Sequence, residues 1–504
     1  MLYPKSTQLP GGRLVMTFED SEGDPVGQKL PLYKSDDFGT TWQKLTDVAS
    51  PAALTQGTTH AAEFAKFTSN WTNPFLYVLP QDVGTLTKGT LLLASVVSGD
   101  DPYYRAQKAA NPNWTPTGDG ARQNVSIVLF SSTDGGATWN VVSTVAEGGS
   151  QSTRDGGTQQ DPVWEPYLMV HDGKLVVYYS DERDPGTGEN QGQTLVHTTS
   201  TDGVNWTPKV YDVGEAYAQN RPGMTTIVPT TDGKWLMTFE YWASGQSHNQ
   251  YKVIDDPLNM ENVPFNGFPG GTGGSPVLTR LPDGRILYND NSGGNRVLVN
   301  ETGRSDGTWK TYQTTLPNGY SRQLQYVQET GRVVIFQAPW GYGPVKYAEV
   351  DLGHSTGAYY TLVNRATGQV LGTGGKTQDA SLTGNTPDIV TETNDPANDT
   401  QRWHVVTKNG PVTLLNKAGG RAAAIWLGAT TSGAQLTQWV DDDGTDKKWN
   451  LVPTDNGYYK LQSVKNTAMY ATATTTGGPV RIQTAIDTTT TPTADDTQEW
   501  QLVQ

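Results

Sequence analysis

Residues 161–184, DPVWEPYLMVHDGKLVVYYSDERD, contain the pattern from which the architecture follows. The segment starts near Glu165-Pro166, continues as a short apolar run, turns at Asp172-Gly173 and ends in a second apolar run near Ser180. This is the pattern of two antiparallel strands joined by a tight turn. Such a hairpin places the start of its first strand and the end of its second strand at one edge. We therefore expect polar residues at these two positions to lie close together.

The same pattern is repeated along the chain. Related stretches begin at Tyr3, Asn73, Arg221, Ser275 and Tyr320, and the last of them lacks the proline. Repetition of this kind is typical of radial architectures, and six four-stranded units predict an all-β chain that begins with a six-bladed β-propeller. Only GPVKYAEVDL (343–352) follows the sixth hairpin. The outermost strand of that blade is therefore expected to be absent or to come from residues upstream of Met1.

A second element, Ser/Thr-x-Asp-x-Gly-x-x-Trp, recurs at matching places in the repeats. Complete copies occupy Ser35–Trp42 and Ser132–Trp139, and shortened ones occupy Ser200–Trp206 and Ser305–Trp309. The aspartate can accept hydrogen bonds from its own turn, the glycine permits positive φ and the tryptophan packs between sheets. A structural role is thus expected for these aspartates. The element resembles the Asp box of sialidase-like propellers.

The pattern changes after residue 352. Three segments follow, each opening with an apolar strand and closing at Trp403, Trp449 or Trp500. They resemble a ricin-type β-trefoil similar to carbohydrate-binding module family 13, with Gln401-Arg402-Trp403 and Gln498-Glu499-Trp500 matching its Gln-x-Trp signature. The predicted domains are therefore a propeller at 1–352 and a trefoil at 357–504. The aspartate usual in such sugar pockets is missing, so a sugar-binding role and a spacer role both stay open.

Composition restricts the partners. The chain has 504 residues, a net charge of -15 and no cysteine. An acidic chain is unsuited to nucleic acids or anionic membranes, and no apolar run is long enough to span a bilayer. The six histidines show no metal-ligand spacing. We expect a monomer without cofactor or metal, secreted by means of a signal peptide that this sequence does not contain.

The propeller geometry predicts a functional site at one mouth of the central channel. The first strand of each blade lines the central channel, so residues at the start of these strands form a ring around one mouth. The alignment gives this ring as Tyr3, Asn73, Glu165, Arg221, Ser275, and Tyr320 or Ser321. The ends of the second strands add Glu19, Ser180, Asp181, Glu240, Asp290, Asn291 and Gln337. Glu165 and Glu240, on neighbouring blades, are the predicted catalytic pair, because glycoside hydrolysis needs two carboxyl groups.

Other residues at this rim are predicted to contact a substrate. They are Tyr3, Asn73, Asp181, Arg221, Ser275, Asp290, Tyr320 and Trp340. Arg221 is suited to orient a sugar hydroxyl or to keep a glutamate ionised, with an ordinary ion pair as the alternative. Trp340 is suited to stack on a sugar face, with burial between blades as the alternative. Glu19 ends its strand as Glu240 does and is the competing candidate for catalysis.

At these residues the chain resembles glycoside hydrolase family 93, the exo-α-1,5-L-arabinanases of the sialidase superfamily. The matching pieces are the Tyr3-Pro4 opening, Trp164-Glu165-Pro166, YSDERDP (179–185) and the Thr-Phe-Glu ending at Glu240. The resemblance implies a retaining reaction with Glu165 as general acid/base and Glu240 as nucleophile. It also implies linear arabinan of the plant cell wall as substrate and arabinobiose, released from the non-reducing end, as product.

Two alternatives stay open. A sialidase would share the propeller and the Asp boxes, but sialidases hold a substrate carboxylate with three arginines, and here only Arg221 occupies an Xaa-Pro ring position. A propeller lectin would bind glycans without chemistry. Lectin propellers tend to repeat one binding motif in every blade, whereas this ring differs between blades, which favours an enzyme.

Overall fold

The computed structural model describes residues 1–20, 29–99, 106, 109–113, 122–151, 161–183, 192–243, 246–271, 273–292, 295–341, 343–352, 357–377, 387–407, 410–489 and 493–504. These form two compact units. Unit 1 contains Met1–Thr311, Leu316–Gln325 and Ile335–Tyr347, and unit 2 contains Tyr312–Thr315, Tyr326–Val334 and Ala348–Gln504. The domain limits at 352 and 357 stay a prediction, because residues 353–356 lie outside the described ranges.

The described strands of the first part form six separate antiparallel sheets, the six blades of a propeller. Blade 1 contains β1 (Leu2–Gln8), β2 (Leu14–Glu19), β3 (Leu30–Ser35) and β4 (Gln43–Val48). Blade 2 contains β5 (Ser69–Val78), β6 (Leu91–Ser98), β7 (Ser126–Ser132) and β8 (Asn140–Ala146), and helices α1 (Pro51–Leu54) and α2 (Ala61–Phe64) precede it. Blade 3 contains β9 (Val163–His171), β10 (Lys174–Asp181), β11 (Thr194–Ser200) and β12 (Val210–Val213).

The remaining blades follow the same order. Blade 4 contains β13 (Pro222–Pro229), β14 (Trp235–Ala243), β15 (Gln246–Ile254) and β16 (Asn266–Gly267). Blade 5 contains β17 (Val277–Arg280), β18 (Ile286–Asn289), β19 (Arg296–Asn300) and β20 (Trp309–Gln313). Blade 6 contains β21 (Ser321–Val327), β22 (Arg332–Ala338) and β23 (Lys346–Val350). The predicted six-bladed propeller is confirmed, and within the described residues its last blade has three strands.

The propeller core is divided into layers between neighbouring blades. Val177 of blade 3 packs with Leu129 of blade 2, whereas Val176, one residue earlier, packs with Met237 of blade 4. All four side chains are buried. Because side chains alternate between the two faces of a strand, the apolar runs of the second and third strands cover both neighbouring layers. The first and last blades meet through side chains: the Tyr3 N–H donates to Ser321 Oγ (3.0 Å) and Trp42 packs on Phe336.

The Ser-x-Asp-x-Gly turns are held by their aspartates. Asp37 Oδ1 accepts from the Thr41 N–H (2.9 Å), and Asp134 Oδ1 accepts from the Thr138 N–H (3.0 Å). A further bond from the Thr138 hydroxyl is the largest cause that lowers the pKa of Asp134 to about 2. A carboxylate so held organises its hairpin and has no role at the mouth of the channel.

Unit 2 includes twelve strands joined in one sheet. They are β24 (Tyr359–Asn364), β25 (Val370–Gly372), β26 (Val390–Glu392), β27 (Trp403–Thr407), β28 (Val412–Asn416), β29 (Ala422–Ile425), β30 (Leu436–Trp439), β31 (Trp449–Pro453), β32 (Tyr458–Ser463), β33 (Met469–Thr472), β34 (Arg481–Thr484) and β35 (Glu499–Val503). The fold is a β-trefoil, as predicted. No helix in the part of the chain that the structure describes is long and apolar enough to cross a membrane.

The three trefoil repeats use equivalent contacts. Trp403, Trp449 and Trp500 are fully buried, and their Nε1 atoms donate to the carbonyls of Leu371 (2.9 Å), Ala423 (3.0 Å) and Ala471 (3.1 Å). Backbone bonds close a triangle in which Ile389 N donates to Leu436 O, Leu436 N to Val480 O, and Val480 N to Ile389 O. The tryptophan signature therefore marks the core of a pseudo-threefold fold.

Candidate active site

A polar pocket opens at the mouth of the propeller channel. Its empty volume, including solvent at the opening, is about 1130 Å³. Seven of the residues singled out in the sequence line it: Tyr3, Glu19, Asn73, Glu165, Arg221, Glu240 and Tyr320. The repeat pattern thus brought together side chains from blades 1, 2, 3, 4 and 6. Both predicted catalytic glutamates belong to this one pocket.

Unusual backbone geometry positions the residues around the mouth. Tyr3, Asn73, Glu165, Arg221 and Ser275 each precede a proline and each have a positive φ, between 45° and 60°. In blades 1, 2 and 3 this residue and its proline stand opposite a single residue of the second strand, which makes a β-bulge. A bulge changes the direction in which its side chain points. Sequence repetition therefore reflects a repeated local bend.

Blade 4 departs from the predicted alignment. Its bulge is formed by Met224 and Thr225, which stand opposite Phe239, and Met224 has a φ of 50°. Met224, and not Arg221, is therefore the counterpart of Glu165 in this blade. The alignment was wrong here because it followed the Xaa-Pro pair, which lies three residues earlier. Met224 carries no such sequence signal.

Glu165 is bound by two donors from different blades. Its Oε2 accepts from Ser180 Oγ (2.7 Å), at the end of β10, and from the Met224 N–H (2.8 Å) of blade 4. Burial, and next the negative charge of Glu240, raise the pKa of Glu165 to about 7. The two hydrogen bonds and the charge of Arg221 act in the opposite direction. A carboxyl group with this pKa keeps its proton in mildly acidic solution and can donate it to a leaving group.

Glu240 lies near the end of β14. Its Oε2 accepts from the Ser275 N–H (2.8 Å) and its Oε1 from Trp242 Nε1 (3.2 Å). Burial raises the pKa of Glu240, while the Ser275 N–H, Trp242 and the charge of Arg221 lower it. Ser275, a predicted substrate contact, thus serves Glu240 through its backbone. Of the two glutamates, Glu240 is the one that we expect to ionise first.

Gly223 lies next to both glutamates. In the β13–β14 pair Gly223 is the partner of Glu240, and a Cβ on Gly223 would lie 3.0 Å from Glu165 Oε2. The Glu165 carboxyl therefore lies directly over the residue that pairs with Glu240. A side chain at position 223 would force the Gln193 amide, 2.5 Å from such a Cβ, and the Glu165 carboxyl to shift, so glycine suits this position.

Arg221 reaches the pocket through a network that sequence reasoning missed. Its Nη2 donates to Glu182 Oε1 (2.6 Å) and to Gln193 Oε1 (3.0 Å), and Trp164 Nε1 donates to the same Glu182 oxygen (2.9 Å). Glu182 is only 6% exposed. Its signal was its place two residues after Ser180, because alternate residues of a strand point the same way. The arrangement keeps a positive charge near both Glu165 and Glu240.

Glu19 adds a fourth carboxyl group to the pocket, after Glu165, Glu240 and Glu182. It is 4% exposed and accepts a hydrogen bond from Thr72 Oγ1. Tyr3 lies nearby, and burial, followed by the negative charges around it, raises the pKa of its hydroxyl well above the ordinary value. That hydroxyl is 2.8 Å from the Tyr320 hydroxyl. Two neutral phenols and several carboxyl oxygens suit the hydroxyls of an uncharged sugar.

Asp181 and Asp290 require correction as substrate contacts. Both are fully buried and neither lines the pocket. Asp181 is bound to Arg183 (2.6 Å) and Lys209 (3.1 Å), and Asp290 accepts from Tyr288 and Asn249. Asp181 follows Ser180 directly, so its side chain points to the opposite face of the sheet. Trp340 lies outside the pocket lining but packs edge-on against Tyr320 and is 59% exposed.

Among the residues that the structure describes, no group of three or more histidine and carboxylate side chains is placed to hold a metal ion. The pocket offers carboxyl groups, phenols, amides, indoles and one arginine. Glu165 and Glu240 both line this pocket, and Glu165 has a pKa raised to about 7. A pair of carboxyl groups, one of which keeps its proton near neutral pH, is the arrangement on which glycoside hydrolases depend.

Comparisons with known proteins define the class first. Residues 112–343 match the family described as "BNR repeat-like domain", and residues 349–439 and 399–483 match "Ricin-type beta-trefoil lectin domain-like". The protein is thus a BNR-type propeller with a ricin-type trefoil. No curated protein matches the chain.

Solved structures then give the family. The α-L-arabinanase of Penicillium chrysogenum, complexed with arabinobiose, is 30% identical, with a TM-score of 0.56 over 69% of this chain and 93% of that one. The GH93 α-L-arabinofuranosidase of Fusarium graminearum, also complexed with arabinobiose, is 26% identical, with a TM-score of 0.56 over 69% and 92%. The chain belongs to glycoside hydrolase family 93.

Proposed function

We propose that this protein is a retaining, exo-acting glycoside hydrolase that cleaves α-1,5-L-arabinan from the non-reducing end and releases arabinobiose. The observation that carries the proposal is the placement of Glu165 and Glu240 in one pocket, where burial and the charge of Glu240 raise the pKa of Glu165 to about 7. The arabinobiose bound by both similar enzymes supports the sugar and the product length.

The chemistry follows from these two protonation states. Glu165, protonated, donates its proton to the glycosidic oxygen while Glu240, ionised, attacks the anomeric carbon of the sugar. The bond to the leaving chain breaks and a covalent glycosyl-Glu240 ester forms. Glu165, now ionised, removes a proton from water, and the resulting hydroxide displaces Glu240 and restores both groups. The bonds from the Ser275 N–H and Trp242 stabilise the carboxylate form of Glu240 at the start and the end of the cycle.

The pocket disfavours the sialidase alternative. Of the described arginines, Arg221 alone lines it, and this arginine is already bound to Glu182. An anionic sugar would face Glu19, Glu165 and Glu240 without an arginine clamp. An uncharged sugar meets no such repulsion, so a neutral polysaccharide of the plant cell wall is the proposed substrate.

The decisive test measures hydrolysis of debranched arabinan and identifies the products by chromatography. Wild-type enzyme is expected to release arabinobiose, whereas sialyl substrates stay intact. Glu165→Gln should lose at least about a thousandfold in kcat/KM on arabinan but far less on an aryl arabinoside with an acidic leaving group, since such a group needs no proton. Glu240→Ala should be inactive on both substrates.

A matched control and one stereochemical measurement complete the test. Glu63→Gln removes an exposed carboxylate and should leave kcat/KM unchanged. NMR of the first-formed anomer should show retention. Release of the inverted anomer, or full activity in either catalytic variant, would contradict the mechanism. Glycan binding without any hydrolysis would instead favour a lectin.

We also propose that the protein is secreted, because a cell-wall polysaccharide lies outside the cell. Expression from the full-length gene should place the activity in the culture medium. Activity confined to the cells would contradict this proposal.

A further inference from the structure

Glu165 lies between two cavities. The mouth pocket is one, and a second cavity, with an empty volume of about 440 Å³, lies in the channel between the inner strands. Tyr3, Asn73 and Glu165 line both. Charged groups in the channel cavity, as well as those on the substrate side, therefore lie close enough to act on the carboxyl group of Glu165.

Lys5 is a basic residue of this channel cavity and belongs to β1. Its Nζ lies 5.9 Å from the ring centroid of Phe75. Within the described residues Lys5 forms no ion pair and no side-chain hydrogen bond. Burial lowers the pKa of Lys5 to about 8, and the negative charge of Glu165 opposes this effect. Glu165 is thus the carboxylate whose charge favours the charged form of Lys5.

The fold itself does not require a lysine at this position. Phe75, Tyr167 and Thr226 occupy the equivalent place in blades 2, 3 and 4, two residues beyond the bulge residue, and all line the same cavity. Uncharged side chains therefore fill this place in the neighbouring blades. Blade 1 thus differs from blades 2, 3 and 4 by having a charged residue at this place. A buried charge is costly unless another charge compensates it.

Other charges also face Glu165. Glu240 and Arg221 act from the substrate side, with opposite signs. Glu19 and the neutral phenol of Tyr3 lie beside them. Arg322 lies in the channel, but its Nη1 is bound to Asn289 Oδ1 (2.8 Å), and the charge acting on it is that of Asp290. Lys5 is therefore the cation that lines the channel cavity with Glu165 and whose charge interacts with that of Glu165.

We propose that Lys5 is a positioning residue of the reaction: from the channel cavity that both residues line, the charge of its ammonium group acts on the acid/base carboxyl of Glu165 and tunes its proton affinity. The inference rests on the proposed role of Glu165. A nearby positive charge favours the ionised form of a carboxyl group. Lys5 thus offsets part of the effect of Glu240 and keeps the Glu165 proton transferable.

The first test is independent of catalysis. NMR titration of ¹³C-carboxyl-labelled glutamate, with the Glu165 signal assigned by its loss in Glu165→Gln, measures the Glu165 pKa directly. In Lys5→Met this pKa should rise by about half a unit or more, whereas Lys5→Arg should stay near the wild-type value. The control Lys174→Met removes an exposed lysine and should cause no shift.

The second test uses the pH dependence of kcat/KM on arabinan. In Lys5→Met the pH at which kcat/KM falls should increase. At the same time kcat should decrease several-fold and KM should change little. An unshifted Glu165 pKa in folded Lys5→Met would overturn the proposal. An inactive wild-type enzyme with a shifted Glu165 pKa would refute the proposed hydrolysis and leave the Lys5–Glu165 coupling standing.

Discussion

Glu165 occupies a backbone conformation that glutamate seldom adopts. A left-handed φ in a residue other than glycine costs about 1–2 kcal/mol, and residues before proline normally prefer extended backbone. The same conformation recurs at Tyr3, Asn73 and Ser275. This backbone strain at the mouth of the channel is paired with function: in blades 1 to 5 the bend presents a side chain or an N–H group to the pocket or to one of its two glutamates.

Gly223→Ala tests the close approach of the glutamates. The added Cβ would lie 2.5 Å from Gln193 Nε2 and 3.0 Å from Glu165 Oε2, so the carboxyl must move. We expect kcat/KM on arabinan to fall at least about tenfold, because small displacements of catalytic groups are costly. Gly267→Ala, where a Cβ would meet nothing within 4 Å, is the control and should keep full activity.

Glu165→Gln should change stability in a pH-dependent way. Burial and Glu240 raise the Glu165 pKa above that of an unfolded glutamate, so its stabilising contribution is present at low pH and is lost as the pH rises through about 7. The variant should therefore have a higher Tm than wild type at pH 8, with a smaller difference at pH 5. Calorimetry at both pH values measures this. A larger gain at pH 5 would contradict the coupling of the pair.

Trp340→Ala should affect long substrates selectively. The indole is exposed and continues, through Tyr320, the aromatic wall that starts at Tyr3. A stacked sugar contributes roughly 1 kcal/mol, so kcat/KM on arabinan should fall about fivefold, mostly through KM. Trp340→Phe keeps a ring and should recover most of the loss. An equal loss on a small aryl arabinoside would argue against an outer contact.

At the scale of the element, the periodicity of the hairpins predicted the features that depend on the backbone alone, namely the blades and the ends of their strands. The repeats located the six blades, and the ends of paired strands located Glu165, Ser180 and Glu240. Side-chain direction was predicted less well. Asp181 was proposed for the pocket although it alternates with Ser180, and the missed Glu182 points back to Arg221. Met224 was missed because a bulge residue with positive φ that is not followed by proline has no recognisable pattern in a single sequence.

The pH profile depends on two strands from neighbouring blades. Glu240 on β14 must be ionised to attack, and its pKa is raised above 4.5. Glu165 on β9 must be protonated, and its pKa is about 7. The kcat/KM profile should therefore be bell-shaped, with a rising limb at a higher pH than an ordinary glutamate would give and a falling limb above about pH 7. The high-pH limb should vanish in Glu165→Gln on an activated aryl substrate.

At the scale of the whole molecule, the chain combines a propeller with a trefoil whose signature residues are structural. Trp449 is fully buried and its Nε1 is bonded to Ala423. Trp449→Ala should lower the unfolding free energy of the trefoil by about 3–5 kcal/mol, measured by denaturant titration. The exposed Trp340→Ala is the matched control and should change stability by less than about 1 kcal/mol.

For the trefoil, the single sequence predicted the fold but not whether the domain binds sugar. The spacing of Trp403, Trp449 and Trp500 was enough to predict the fold, since each indole fills the same place in the core. Sugar binding could not be decided, because it depends on a few surface side chains that the repeat does not constrain. Affinity electrophoresis of the trefoil on arabinan, xylan and galactan distinguishes a sugar-binding trefoil from a spacer.

The left-handed residues around the mouth have a consequence for how this enzyme can change. Bulge geometry and proline fix the positions of Tyr3 and Asn73, so their identity can be exchanged while the surrounding strands keep their register. New specificities can therefore be reached by varying a handful of codons, one blade at a time. Laboratory evolution confined to these positions would explore neighbouring pentose and hexose substrates on an unaltered scaffold.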